Sequence, residues 1–239
     1  MTFPAGGTIF IGDSVQFEAR ETLSDGTTRV VTNEATWGSD APAVATVSST
    51  GLVTAVAPGE ATIFADVNPR GSLLIRVFPN FGGSWMGSEV IAGCEDSGAL
   101  EGVCRDRSLA VGEVFLHRSM FSQTQASVNA VIDGGEGNTA TATGNVTVGG
   151  ELQLPSTPFL PGDPTVSSQL QNWRSRADVP SQMTGTWELF LTAPGVQGSV
   201  TLMIRLQDVI KTSATSTSLT NRTLRDALRK ISLHLESLR

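Results

Sequence analysis

Side chains able to carry chemistry are scarce in this 239-residue chain, which has two histidines, His117 and His234, and two cysteines, Cys94 and Cys104. Acid–base catalysis or metal binding by histidine needs a second titratable or ligating group held within hydrogen-bond reach. His117 falls in a stretch with strand periodicity and His234 in a C-terminal stretch with helical periodicity. A site joining them would require a coincidence of folding, so neither is expected to be catalytic, and no metal or cofactor is expected. The chain has no Gly-x-Ser-x-Gly elbow, no phosphate-binding P-loop, no His-Glu-x-x-His pair and no complete calcium loop. Asp133 to Asn138 offers oxygen atoms and glycines but lacks the spaced carboxylates of a calcium site, and it reads as a solvated hairpin turn. The Asn-x-Thr triplets at Asn145 and Asn221 read as chance matches.

The cysteines enclose a short Gly- and acid-rich segment, Glu95 to Val103. In an exported protein this spacing favours a local disulfide, worth about 2–3 kcal/mol through loop closure, whereas in the cytosol it would be two free thiols. The remaining candidates are aromatic. Trp85, Trp173 and Trp187, with Arg174 and Arg176 beside the second of them, are the residue types that line a pocket for a small apolar molecule or a glycan. The competing expectation is that Trp85 and Trp187 simply fill a core. Trp173 sits in the mostly polar run Gln169 to Arg176, where a partly covered surface ring is the simpler reading.

These side chains must be positioned by β-structure. Gly, Thr, Ser and Val abound, and short alternating runs lie between Gly and Pro breaks. In the first domain, residues 1–79, Val15, Phe17 and Ala19 alternate with polar residues, and Ser24-Asp25-Gly26 marks a hairpin. Three further runs, 44–47, 52–56 and 60–67, are separated by Ser49-Thr50-Gly51 and Ala57-Pro58-Gly59, and about seven such strands in under 80 residues fit a two-sheet sandwich. From residue 82 to 210, eight strand-like runs follow with mostly short links: about 84–92, 110–121, 125–132, 139–148, 150–157, 167–176, 182–192 and 198–208. Short links favour antiparallel neighbours, and eight of them in sequence order predict an up-and-down barrel, which removes exposed edges.

After a Ser/Thr-rich linker at 211–218 the period changes. Leu224, Leu228, Ile231, Leu235 and Leu238, spaced four, three, four and three, predict an amphipathic helix over 219–239. That segment carries a net charge of +3 against −10 for residues 1–218. A helix so short is marginal alone, so its seam must be buried against the chain's own barrel, another copy or an assembly partner. The formal charge of −7 argues against a nucleic-acid surface, and no run of about 18 apolar residues spans a bilayer. The β pattern starts almost at Met1 with no signal-peptide pattern, which is the expectation for a mature form or a segment of a longer precursor.

The phrase from Thr36 to Val67, with its Trp-Gly-Ser-Asp, Ala-Thr-Val, Gly-Leu-Val-Thr and Pro-Gly-Glu-Ala-Thr-Ile elements, resembles the group 2 bacterial immunoglobulin-like domain. The resemblance implies a sandwich without catalytic residues and a bacterial surface, secreted or phage setting, and this setting favours the Cys94–Cys104 disulfide. Gly83-Ser84-Trp85, opening the barrel, and Gly185-Thr186-Trp187 are similar to the Gly-x-Trp motif of lipocalins and avidin-like barrels. The expected whole is an all-β protein: an Ig-like β-sandwich, an eight-stranded antiparallel up-and-down β-barrel and a C-terminal amphipathic helix. Its expected role is a non-enzymatic structural or adhesive protein, extracellular or on the cell surface, that self-associates or meets another surface protein through the helix and β modules. Ligand binding by the barrel and virion decoration are the alternatives.

Overall fold

The computed structural model describes residues 7–67, 70–135, 138–159, 166–179 and 181–212. It divides into two compact units, Met1–Asn80 with Val146–Gly150, and Phe81–Asn145 with Glu151–Arg239. Among the described residues the first holds nine short strands: β1 (Thr8–Phe10), β2 (Ser14–Gln16), β3 (Arg20–Thr22), β4 (Thr28–Val30), β5 (Thr36–Ser39), β6 (Ala45–Val47), β7 (Leu52–Ala55), β8 (Gly59–Asp66) and β9 (Gly71–Phe78). One sheet runs β1-β9-β8-β5 with β1 parallel to β9, a second runs β2-β7-β6, and β3 pairs with β4. Alternation along β8 sends Ala61, Ile63 and Ala65 inward, and Ile63 joins Phe17, Val53, Ile75 and Val77 in the core. Trp37 is half-buried, packs against this core and donates from Nε1 to the Thr32 carbonyl at 2.9 Å. Gly51 has φ 81°, and a Cβ there would meet the Trp37 ring at 2.8 Å, so the turn before β7 admits only glycine without rearrangement.

The second unit contains β10 (Gly83–Gly98), β11 (Val114–Thr124), β12 (Ser127–Gly135), β13 (Asn138–Val146), β14 (Glu151–Leu154), β15 (Thr157–Pro158), β16 (Ser167–Val179), β17 (Gln182–Thr192) and β18 (Gly198–Thr212). Each of β10 to β14 pairs with the next, β14 pairs with β16, and β16, β17, β18 and β10 complete the ring. This is a closed antiparallel barrel of eight strands, with the two-residue β15 added along β16. The strand expected to end near residue 92 continues to Gly98, pairing with β18 from Ser84↔Thr212 to Gly98↔Gly198. Cys94 therefore lies within a strand. It is disulfide-bonded to Cys104 in the 3-10 turn Val103–Arg105, whose entry is fixed by Asp96 Oδ2 accepting from the Gly102 and Cys104 amides at 2.9 and 2.8 Å. At the other end β18 reaches Thr212, so Lys211 and Thr212 belong to the barrel rather than to a linker. The expected helix over 219–239, with Leu224, Leu228, Ile231, Leu235, Leu238 and His234, lies outside the described residues.

Among the bulges of the barrel, those on β16 and β18 exchange inner and outer faces at residues with positive φ. Along β16, Ser168 and Leu170 are buried on the inner face; then Gln171↔Glu188 is followed by Arg174↔Thr186, one residue more on β16 than on β17. The surplus is absorbed at Asn172, whose φ is 52°. Parity reverses there, so that Trp173, Ser175 and Ala177 point inward. Along β18, Leu202, Ile204 and Leu206 face in, an extra residue intervenes between Gly185↔Leu206 and Met183↔Val209, and Asp208 has φ 51°. Beyond it Val209 is buried and Ile210 is 52% exposed.

A β-branched residue is strongly disfavoured in the left-handed region, whereas glycine is at ease there. Asn172→Val is expected to lower barrel stability by more than about 1 kcal/mol, with Asn172→Gly close to wild type in urea denaturation. Equal losses in the two variants would mean that the bulge is held by side-chain contacts and not by backbone conformation.

Candidate functional site

The chemistry-bearing residues converge inside the barrel. On β11, Phe115, His117, Ser119 and Phe121 alternate inward, and on β10 Trp85, Glu89 and Ile91 do the same. His117 Nδ1 lies 2.7 Å from Glu89 Oε1 and its Nε2 lies 2.8 Å from Ser119 Oγ. The His117 ring packs against Trp173 with centroids 6.0 Å apart, Trp173 stacks on Trp187 at 6.1 Å and 28°, and Trp187 meets Phe159 at 5.9 Å. Trp173 Nε1 donates to Ser175 Oγ at 3.0 Å, while Trp187 Nε1 has no partner among the described residues. A continuous column thus crosses the barrel from the carboxyl of Glu89 to the ring of Phe159.

One end of the barrel is built by a second aromatic group. Trp85 donates from Nε1 to the Phe81 carbonyl at 2.6 Å, and Phe81 packs against both Trp85 and Phe121. Lys211 Nζ sits 5.6 Å from the centroid of the Trp85 ring, and burial pushes its ammonium below the usual lysine range.

The proposed tryptophan–guanidinium site is taken apart by the Asn172 bulge. Trp173 turns inward, correcting the expectation of a partly covered surface ring, while Arg174 and Arg176 face solvent and reach Glu151 on β14 at 2.9 and 4.0 Å. Glu151 is held below the usual carboxylate value, first by the Gln153 amide and then by the two guanidiniums, against the opposing effect of burial. Trp85 and Trp187 lie in separate parts of the interior, with Trp187 in the column and Trp85 in the end cluster. Glu89 and Ser119 were missed in the sequence. The available signal was the alternation of His117 and Ser119 along one strand, which places both hydroxyl and imidazole on the inner face.

Glu, His and Ser in this hydrogen-bonded order have the connectivity of a hydrolase triad. All three lie inside the barrel. Glu89, His117 and Ser119 are 4%, 1% and 5% exposed, and each of the three inner tryptophans is 1% exposed. A wall lining a space large enough for water would show that surface, and among the described residues these inward side chains do not. In the first unit there is a cleft of about 260 Å³, floored by Ala19, Ala65 and Val67 and rimmed by Arg20, Glu21 and Arg70. Its cations are already engaged, Arg20 with Glu18 and Arg70 with Asp66. Among the described residues no cluster of three metal-ligating side chains occurs, and no helix is long and apolar enough to cross a membrane.

Residues 4–72 are a bacterial Ig-like domain of group 2. The likeness of the second unit to lipocalins and avidins is one of strand number and a three-residue motif. The chain is also similar to the protein named ice-binding protein 1 of Shewanella frigidimarina (strain NCIMB 400), 44% identical over 64 residues. That match covers 27% of this chain and 7% of the relative.

His117 supplies both the Glu89 and the Ser119 contact, so removing it strands two buried polar groups at once. His117→Phe, which keeps a ring against Trp173, is expected to cost about 2–5 kcal/mol in denaturant unfolding. A loss below about 1 kcal/mol would show that the polar chain contributes little to the barrel.

Proposed function

We propose that this protein is a non-enzymatic structural module of an extracellular or surface-exposed bacterial protein, an Ig-like sandwich followed by a barrel that fills itself. The observation that carries the reading is the interior column, with Trp173 stacked on Trp187 and His117 buried between Glu89 and Ser119. A barrel that binds a small molecule keeps space beside its aromatic walls. Here the space is taken by tryptophan. The cystine at Cys94–Cys104 supports an oxidising compartment, and the Ig-like domain supports an external setting, as does the match to the relative named for ice binding. In this role the barrel presents its outer faces and contributes rigidity, with adhesion or assembly falling to its surfaces.

Tryptophan emission titrated with long-chain fatty acids, a naphthalene sulfonate dye and a panel of oligosaccharides, alongside hydrolysis of p-nitrophenyl esters, tests the reading. No saturable emission change and no ester turnover above buffer are expected. Saturable binding lost in Trp187→Phe, or turnover lost in Ser119→Ala, would overturn it.

A further inference from the structure

The cleft of about 260 Å³ in the first unit opens along the edge of a strand. Ala19, Arg20, Glu21 and Thr22 line it in succession. A strand shows consecutive residues along its edge, whereas a face would show only alternate ones. The pairing of β3 with β4 fixes what that edge offers. Leu23 N–H donates to the Thr27 carbonyl and Val31 N–H to the Ala19 carbonyl, both at 2.8 Å, so the hydrogen-bonded positions of β3 toward β4 are 19, 21 and 23. Arg20 and Thr22, which stand opposite Val30 and Thr28, therefore direct their N–H and C=O groups away from β4. On that side neither has a main-chain partner among the described residues. Two donors and two acceptors thus stand at ladder spacing along a cleft whose floor is Ala19, Ala65 and Val67.

We propose that this edge takes an extended, uncharged peptide of another protein as an added strand. A strand laid beside β3 lies about 4.8 Å away and exchanges four main-chain hydrogen bonds with Arg20 and Thr22. Its alternate side chains descend to the floor, where alanine at two of three positions leaves depth for a branched apolar group, and the others face water. The rim decides the charge of the partner. Arg20 is engaged by Glu18, Arg70 by Asp66 at 2.5 Å, and Glu21 by Arg29 at 2.9 Å. An acidic or basic peptide gains only by parting one of these pairs, whereas a strand of Val, Thr and Ser leaves them intact. Four main-chain bonds make a weak contact taken singly, and repetition of the module along a surface multiplies it. The site belongs to the sandwich and does not depend on what the barrel interior does.

Amide exchange followed by NMR on the full chain, with the capped peptide Ser-Val-Thr-Val-Thr-Val-Ser as the probe, tests the site. In the free protein the Arg20 and Thr22 amides are expected to exchange faster than the Glu21 amide between them, which is bonded to β4. Peptide at concentrations on the order of millimolar should slow Arg20 and Thr22 by about tenfold or more and leave the barrel amides unchanged. N-methylation of the peptide amides of one parity should abolish the effect, and N-methylation of the other parity should preserve it, because only one set faces β3. Thr22→Pro removes one edge donor without touching the β4 ladder and should weaken binding about fivefold. Should that variant loosen the sandwich, the methylated peptides carry the test alone, since they leave the protein unaltered. Three results would overturn the proposal: Arg20 and Thr22 amides already as protected as Glu21 in the free protein, no slowing at the highest soluble peptide concentration, or binding indifferent to N-methylation at either parity. The last would mean that side chains, not the strand edge, hold the peptide.

Discussion

Side-chain parity at two left-handed residues is the constraint on which the barrel depends. A strand has a strict period of two, so one extra residue exchanges its inner and outer faces from that point on. Asn172 makes that exchange in β16 and Asp208 makes it in β18. The first puts Trp173 and Ser175 inside and sends Arg174 and Arg176 to solvent. The second keeps Val209 inside and releases Ile210. Asn and Asp are the non-glycine residues best suited to such positions, since their short polar side chains make local hydrogen bonds that offset the strain. The Asn172 side chain is engaged across the ladder instead, its Nδ2 donating to Glu188 Oε2 on the neighbouring strand at 2.7 Å.

Once Trp173 is inside, the rest of the column follows. Its ring fills the space between His117 and Trp187, and its indole N–H is taken by Ser175, the next inward residue of its own strand. The wall formed by β13, two strands from β16 around the ring, is thin: Ala140, Ala142 and Gly144 are its inward positions, alternating with outward Thr139, Thr141 and Thr143. At Gly144 a Cβ would lie 2.1 Å from the Gln153 carbonyl oxygen, so that wall has no room for a larger residue. Large and small positions compensate each other around the ring, as close packing requires. The polar chain from Glu89 to Ser119 then serves a different end from the aromatics. Burying it gains little free energy, but satisfied polar contacts in a low-dielectric interior are costly to misalign, which favours one register over its neighbours.

The architecture was legible because it rests on alternation and on turn residues. The strand runs, the sandwich and the order of the eight barrel strands all follow from those two signals, whereas the Cys94–Cys104 pairing follows from their short spacing and the setting that the Ig-like resemblance implies. Alternation fails as a guide wherever the chain departs from it by one residue. The run Gln169 to Arg176 reads as a polar strand with a stray tryptophan, because no residue type in it announces an insertion; Asn172 is as ordinary in a polar strand as in a bulge. The same blindness affected Ile210, which continues the apolar series of β18 in sequence while leaving its face in space. His117 was hard to read for another reason. Its partner Glu89 is 28 residues away, on an adjacent strand and diagonal to it, so only the register between β10 and β11 brings the two together.

The outer surface of the barrel is not uniform. The β13 side is threonine-rich and the β14–β16 side holds Arg174 and Arg176 around Glu151, whereas the β10–β12 side carries methionine, leucine and valine. Water-facing strands of an antiparallel sheet ordinarily alternate apolar with polar, so an apolar group recurring on the outside of four adjacent strands requires a reason. Chance scatter of single exposed residues would not align Ile210 with Met86 and Met120 with Val131 across directly paired positions. An apolar group gathered on one outer face in this way is the kind of surface that favours association over isolation in water.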